Sequence, residues 1–260
     1  MRKIAAPDER LSFVPNGPVT RRIIAGMGRS SSFEIVVNGR AAVVENVASN
    51  TTLLQWLRAT GRTGTKEGCA EGDCGACTVA LVDVDARGER TYRAINACIT
   101  LLPMVAGREI VTVEGLATSD GLHPVQKAMV DRYGSQCGYC TPGFVVSMFE
   151  AYYRSDLGDD ARAKIGDQLN GNLCRCTGYR PIRDAMLDAL AEKKRRAEDP
   201  SRQDLFQLRL SKDAPLPRVP DLDYEGRGQV FLRPTSLDEL YAIKAEHRER
   251  AELVGGATEI

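Results

Sequence analysis

The sequence predicts an α+β fold built in two consecutive parts, and three observations carry that reading. Residues 33–115 hold short β-rich runs broken by turn residues, with one helix among them. Residues 116–195 hold helical periodicity alone. Each part carries four of the eight cysteines, grouped at 69–98 and at 137–176. Strands first and helices after, without strict alternation, is the α+β order.

The first part opens on a hairpin. Phe33 to Val37 is β-rich, Asn38-Gly39 is a strong two-residue turn signal, and Arg40 to Val47 returns. Thr51 or Thr52 caps a short helix that aligns Leu53, Leu54 and Leu57, and Gly61 ends it. A loop rich in Gly and Cys runs from Thr63 to Cys77. Thr78 to Val84 and Arg90 to Ile95 are strands joined by the turn Asp85-Ala86-Arg87-Gly88, and Glu109 to Val113 alternates and closes the set.

The second part reads as four helices. Pro124 suits the first position of a helix running to Tyr133, and Thr141-Pro142 starts another through Arg154. Ala161 to Leu169 is the third. Pro181 starts the fourth, where Ile182, Ala185, Met186, Ala189 and Leu190 recur at helical spacing. Glu192 to Pro200 is a charge run at a solvated helix end. Residues 196–229, with Pro200, Pro215, Pro217 and Pro220, read as a linker. At 230–260 a new pattern begins: an apolar strand, Arg233-Pro234-Thr235-Ser236, a helix with Leu237, Leu240, Tyr241 and Lys244, and a strand entering a Gly turn at Leu253–Ile260. Residues 1–32 read as a leader. Thr20-Arg21-Arg22-Ile23-Ile24 faintly resembles an export signal, but Arg29 interrupts an apolar stretch well short of the roughly 7–15 residues such a signal needs.

Composition excludes some functions. Lys plus Arg is 35 and Asp plus Glu is 35, so the chain lacks the basic footprint of a nucleic-acid binder. No apolar run approaches the roughly 20 residues that span a bilayer. A cytoplasmic location is expected. Eight cysteines permit a disulfide framework, but such frameworks belong to short secreted chains. Tight grouping reads instead as metal ligation.

Cys69, Cys74 and Cys77 are spaced C-x4-C-x2-C, with Cys98 following: the plant-type [2Fe–2S] ferredoxin spacing. A bridged two-iron cluster needs four thiolates, two per iron, and amide donors for its sulfurs. Gly68, Gly72 and Gly75 let the backbone wrap closely, so that N–H groups form an anion nest. Structural zinc favours two CxxC pairs instead. The second set, Cys137, Cys140, Cys174 and Cys176, comes as two close pairs, each followed by a helix whose positive end suits thiolates. On spacing alone this second set fits either an iron–sulfur cluster or zinc.

Three motifs occur in order: K-E-G-C-x-x-G-D-C-G-A-C-T-V at Lys66–Val79, Q-C-G-Y-C-T-P-G at Gln136–Gly143, and G-N-L-C-R-C-T-G-Y at Gly171–Tyr179. Together they resemble the xanthine dehydrogenase and aldehyde oxidase family of molybdenum hydroxylases, over roughly residues 33 to 192. The resemblance implies a β-grasp ferredoxin domain (33–115) followed by an all-α four-helix domain (116–195), each with one [2Fe–2S] cluster. It also implies a molybdopterin cofactor in a partner large subunit, with Gln136 contacting the pterin. A heterocycle such as a purine is hydroxylated at molybdenum. Electrons then pass to the cluster at Cys137/Cys140/Cys174/Cys176, next to the cluster at Cys69/Cys74/Cys77/Cys98, then to FAD and NAD. No residue of this chain is expected to act on substrate.

Val230 to Leu240 resembles the opening of that family's FAD-binding domain. Leu253, Val254, Gly255, Gly256, Ala257, Thr258, Glu259 and Ile260 resemble its first pyrophosphate loop, with Ala257 where relatives often carry Asn. Some 30 residues cannot build a flavin domain, since domains usually need about 50 or more. The FAD site is therefore expected to be incomplete, with a separate flavin-domain chain as one source of the rest. Competing readings are an iron–sulfur subunit of a carbon monoxide, nicotinate or isoquinoline-type hydroxylase, and a zinc-stabilised interaction module. The 230–260 tail argues against the former, whose small subunits end soon after the helical part. His123, before a helix Pro, is read as structural, His247 as exposed, and Trp56 as core.

Overall fold

A computed structural model describes residues 29–119, 121–154, 157, 161–199, 204–211 and 221–255. Residues 1–28 of the leader expected at 1–32 lie outside them, as do the loop residues Gly256, Ala257, Thr258, Glu259 and Ile260, whereas Ser30 bridges to Tyr224 and Ser32 opens the first strand, so the fold begins earlier than expected.

The first part is a five-stranded mixed sheet. Its strands are β1 (Ser32–Val37), β2 (Arg40–Glu45), β3 (Thr78–Val84), β4 (Arg90–Asn96) and β5 (Glu109–Val111), in the order β2-β1-β5-β3-β4. β1 and β2 pair antiparallel through the Asn38-Gly39 turn, whose residues take φ of 54° and 75°. Both central residues of a type I′ turn need positive φ, which is why Asn-Gly serves there. β5 pairs parallel with β1, Val36 opposite Glu109, and antiparallel with β3.

Helix α1 (Leu53–Ala59) is capped by Thr52, with Gln55 completing a capping box, and it buries Leu53, Leu54 and Leu57 against the sheet. Each such leucine contributes about 1.5–3 kcal/mol. Trp56 is half-buried against the same core.

The second part consists of α2 (Pro124–Asp131), α3 (Thr141–Tyr153), α4 (Ala161–Leu169) and α5 (Arg180–Ala197). The start of α3 differs from the expected Thr141 cap by one residue. Cys140 is the N-cap of α3, with Thr141 and Pro142 inside its first turn. His123 caps α2 through its ring nitrogen, and α2 stops at Asp131, two residues short of Tyr133.

The two parts share a core. Ala80, Val82, Tyr92 and Val111 of the sheet pack with Phe144, Met148, Phe149 and Tyr152 of α3.

The stretch read as a linker is not featureless. It contains helix α6 (Leu205–Arg209), which buries Phe206 beneath Tyr92 and Phe149. It also contains strand β6 (Leu222–Gly226), which pairs antiparallel with β7 (Gln229–Arg233). Buried aromatic side chains hold both short elements, and no local pattern announces that kind of anchoring. Helix α7 (Leu237–His247) follows, with Ser236 as its cap and no buried residue. The strand expected from Leu253 is absent over residues 251–254. Its first described residues, Leu253 and Val254, are exposed and lack a pairing partner strand among the described residues.

Candidate metal centres

The first cysteine set sits on the loop between α1 and β3 and on the segment after β4. Cys77 and Cys98 are buried, and Cys69 and Cys74 are half-buried. The loop turns its amides inward. Cys69 Sγ accepts from the N–H groups of Glu71 and Cys74, each at 3.4 Å, and Cys74 Sγ accepts from the Cys69 N–H at 3.3 Å.

Gly72 and Gly75 take the positive φ the turn requires, and Ala70 joins them at 61°. Gly68 does not. It is needed for space, since a Cβ there would lie 2.7 Å from Cys74 Sγ.

Burial works upward on the Cys69 thiol, yet hydrogen bonds from Glu71, Cys74 and Asp73 outweigh it and bring its pKa to about 7. Burial, and then the neighbouring Cys98, push Cys77 up to about 12.

The second set sits at the start of α3 and on the loop before α5. Cys174 is buried, Cys140 half-buried, and Cys137 and Cys176 exposed. Burial, followed by the Cys174 thiol, raises Cys140 to about 12. Cys174 is lowered: burial opposes the shift, but donors on Thr177 and Cys176 and the Cys140 thiol prevail. The Cys137 thiol raises Cys176.

The thiols of each set act on one another: Cys77 feels Cys98 and Cys74, Cys140 feels Cys174 and Cys137, and Cys176 feels Cys137 and Cys174. Among the described residues no group of His, Cys, Asp or Glu is gathered for a single ion. Four thiols per set is the donor number of a two-iron cluster and of structural zinc alike.

The two loops lie against each other. Leu173 N–H donates to Cys74 O at 3.0 Å, and the buried Asn172 side chain donates to Gly75 O at 3.0 Å. The Tyr139 hydroxyl donates to Glu67 O. A Cβ on Gly75 would strike Gly171 O and Asn172, and a Cβ on Gly143 would strike Gly75 O. The sequence reading named Gly68, Gly72 and Gly75 but missed Gly143 and Asn172, whose roles appear only across the interface. Gln136 is exposed beside Cys137. Tyr133, Tyr139, Leu173 and Tyr179 are exposed close by in sequence.

Residues 35–103 match the family described as "2Fe-2S iron-sulfur cluster binding domain", and residues 112–187 match "[2Fe-2S] binding domain". Xanthine dehydrogenase of Oryza sativa subsp. japonica is 50% identical over 153 residues, 58% of this chain and 11% of that protein. Xanthine dehydrogenase of Calliphora vicina is 37% identical over 270 residues, 88% of this chain and 20% of that protein. A chain of quinoline 2-oxidoreductase from Pseudomonas putida 86 is 34% identical with a TM-score of 0.54, covering 64% of this chain and 97% of that one.

The chain belongs to the xanthine dehydrogenase and aldehyde oxidase family of molybdenum hydroxylases.

Within that family, the aldehyde oxidoreductase of Desulfovibrio gigas is 38% identical with a TM-score of 0.54, over 65% of this chain and 18% of that one. The chain spans between about a tenth and a fifth of the xanthine dehydrogenases it matches. The matched stretch carries both 2Fe-2S family matches. No helix of the described residues is long and apolar enough to cross a membrane.

Proposed function

We propose that this chain relays single electrons between a molybdopterin site on a partner large subunit and a flavin, as part of a xanthine dehydrogenase. Bound at the two cysteine sets, [2Fe–2S] clusters supply reversible one-electron transfer. The chain's own residues do the rest. Four thiolates per set would hold the metal, and the amides of Glu71, Cys74 and Cys69 would stabilise negative charge on sulfur.

The observation that carries the relay is the hydrogen bond from Leu173 N to Cys74 O. It joins a ligand of the first set to the residue preceding a ligand of the second, so the route between the sets is backbone plus one hydrogen bond.

The β-grasp and four-helix descriptions of residues 33–115 and 116–195 belong to this proposal. So does pterin contact by Gln136, which its exposure beside the exposed Cys137 favours. So does a partial FAD site at residues 253–260, followed by NAD reduction. The similarity to the Calliphora vicina protein covers 88% of the chain, whereas the quinoline 2-oxidoreductase chain covers 64%. That difference favours the xanthine dehydrogenase type over small subunits of the quinoline kind. Purine hydroxylation by the assembled enzyme follows as the proposed activity.

Metal and sulfide analysis with EPR of the reduced protein tests the reading. Iron and acid-labile sulfide in equal amounts, with two distinguishable reduced signals, are expected. Zinc without sulfide would overturn it.

A further inference from the structure

We propose that residues 222–233 are a strap that fixes where the chain beyond Arg233 leaves the ferredoxin-type part, with Arg233 as its positioning residue. The inference rests on the reading above, in which the first cysteine set hands electrons to a flavin held by the chain that follows.

One end of the strap is buried. Tyr224 of β6 is fully enclosed and meets the edge of Phe33 at 4.9 Å. Its hydroxyl accepts from Val47 N at 2.8 Å and donates to Val47 O at 2.5 Å. Ser30 N–H donates to Asp223 O at 3.1 Å, and Glu225 N–H donates to Ser30 O at 2.9 Å. At the turn of the hairpin, Gln229 Oε1 accepts from the Ser49 hydroxyl at 3.1 Å.

The other end is a clamp. The Arg233 guanidinium donates to the carbonyls of Pro103, Met104 and Ala106 at 3.3, 3.0 and 2.9 Å. These carbonyls close the 3-10 turn Leu102–Val105. Pro103 O also accepts from Ala106 N–H at 3.2 Å, and a cation at the carbonyl end of a helical turn is favourable. A planar fork reaches several carbonyls at once, which an ammonium does less well. The turn is continuous with Cys98, and Cys98 and Leu102 lie in the same core. The clamp therefore grips the segment that supplies the fourth ligand of the first set.

Beyond Arg233 the grip ends. Helix α7 starts at Leu237, buries no residue, and leaves Leu237 and Tyr241 exposed on one face. Its direction is set through β7 and Arg233. A flexible linker at this place would let the following chain wander relative to Cys98, whereas a clamped strap holds it at one distance.

The test uses the full chain with ketone-bearing residues at the exposed positions Glu45 and Glu246, spin-labelled without involving cysteine, and dipolar EPR between the labels. One narrow distance peak is expected. Arg233→Met, which keeps the apolar stem and removes the fork, should lose that peak to a broad distribution with the main unfolding midpoint unchanged. Arg233→Lys should recover part of it. A broad distribution in the unsubstituted chain, or an Arg233→Met peak as narrow as the original, overturns the strap. Iron and sulfide are measured on the same samples. Intact iron with a broad original distribution defeats the strap alone, whereas absent iron with a narrow one defeats the cluster reading and leaves the strap standing.

Discussion

The carbonyl of Cys74 accepts a 3.0 Å hydrogen bond from the amide of Leu173, the residue before Cys174. A cysteine of the first set is thereby fastened to the residue that precedes a cysteine of the second. Asn172 repeats the contact one residue earlier, its side chain donating to Gly75 O from a position 4% exposed.

Replacing Asn172 by Ala should leave the buried Gly75 carbonyl without that donor. That carbonyl keeps the Thr78 N–H at 3.2 Å and the Thr78 hydroxyl at 2.6 Å as donors, so the loss is that of one hydrogen bond, about 0.5–1.5 kcal/mol. The urea midpoint should fall accordingly, and dipolar broadening between the two reduced clusters should weaken. An unchanged midpoint would show that water replaces Asn172 without loss.

Gly143→Ala places a methyl group against the carbonyl of Gly75, at the point where the first turn of α3 meets the first cysteine loop. Overpacking of rigid backbone costs about 1–3 kcal/mol. Gly166→Ala on α4 is the matched control. A Cβ there meets nothing within 4 Å, so the helix should gain about 0.5–1 kcal/mol. Opposite signs for the two substitutions in thermal unfolding would confirm that the loop contact, not helix propensity, governs Gly143.

Buried His123 gives a pH prediction. Its Nδ1 accepts from Val125 N–H at 3.3 Å, so the ring proton sits on Nε2, which faces the Tyr153 hydroxyl at 2.9 Å. Tyr153 in turn donates to the Asp204 carboxylate at 2.8–2.9 Å. Burial pushes His123 from 6.5 down to about 4, with Asp204 opposing and Arg196 assisting. Between those values the unfolded chain binds the extra proton, so stability rises with pH. The contribution is full above 6.5 and is lost as pH falls toward 4. From pH 7 to pH 5 the loss is about 2 kcal/mol. His123→Asn keeps a capping side chain but should lack this slope. Urea unfolding at both pH values checks it, and equal slopes in the two proteins would refute the assignment.

Exposure divides the two metal sets. Cys137 and Cys176 are exposed, whereas Cys77 and Cys98 are buried. A hydrophilic iron chelator should therefore remove iron in two phases, the faster one from the second set. Cys176→Ser should abolish the fast phase and Cys98→Ser the slow one, each lowering bound iron by about half, since each set holds one cluster. A single phase in the unsubstituted protein would contradict the exposure argument.

Local signals made much of this legible. The Asn38-Gly39 turn, the Thr52 cap and the prolines at the starts of α2 and α5 act within a few residues and appear where the sequence put them. The cysteine spacings point to a ferredoxin-type first set and leave the second open between a cluster and zinc. What stayed hidden depends on distant partners. Five-residue α6 is held by Phe206 under Tyr92 and Phe149, and β6 by Tyr224 under Phe33. Both lie in proline-punctuated chain that reads as a linker when taken alone. His123 was read as structural, but its role as a cap linked through Tyr153 to Asp204 needed residues 30 and 81 positions away to be seen together.

The parallel ladder between β1 and β5, Val36 beside Glu109 and Val37 beside Ile110, encloses the entire first cysteine set in one loop of chain. Long loop closures of this kind are entropically slow compared with hairpins. During synthesis the ribosome delivers Cys69, Cys74, Cys77 and Cys98 before the strand that completes their scaffold. A nascent chain that stops short of Val111 lacks the strand that bridges β1 and β3, so the loop carrying those thiols stays unclosed until β5 is made.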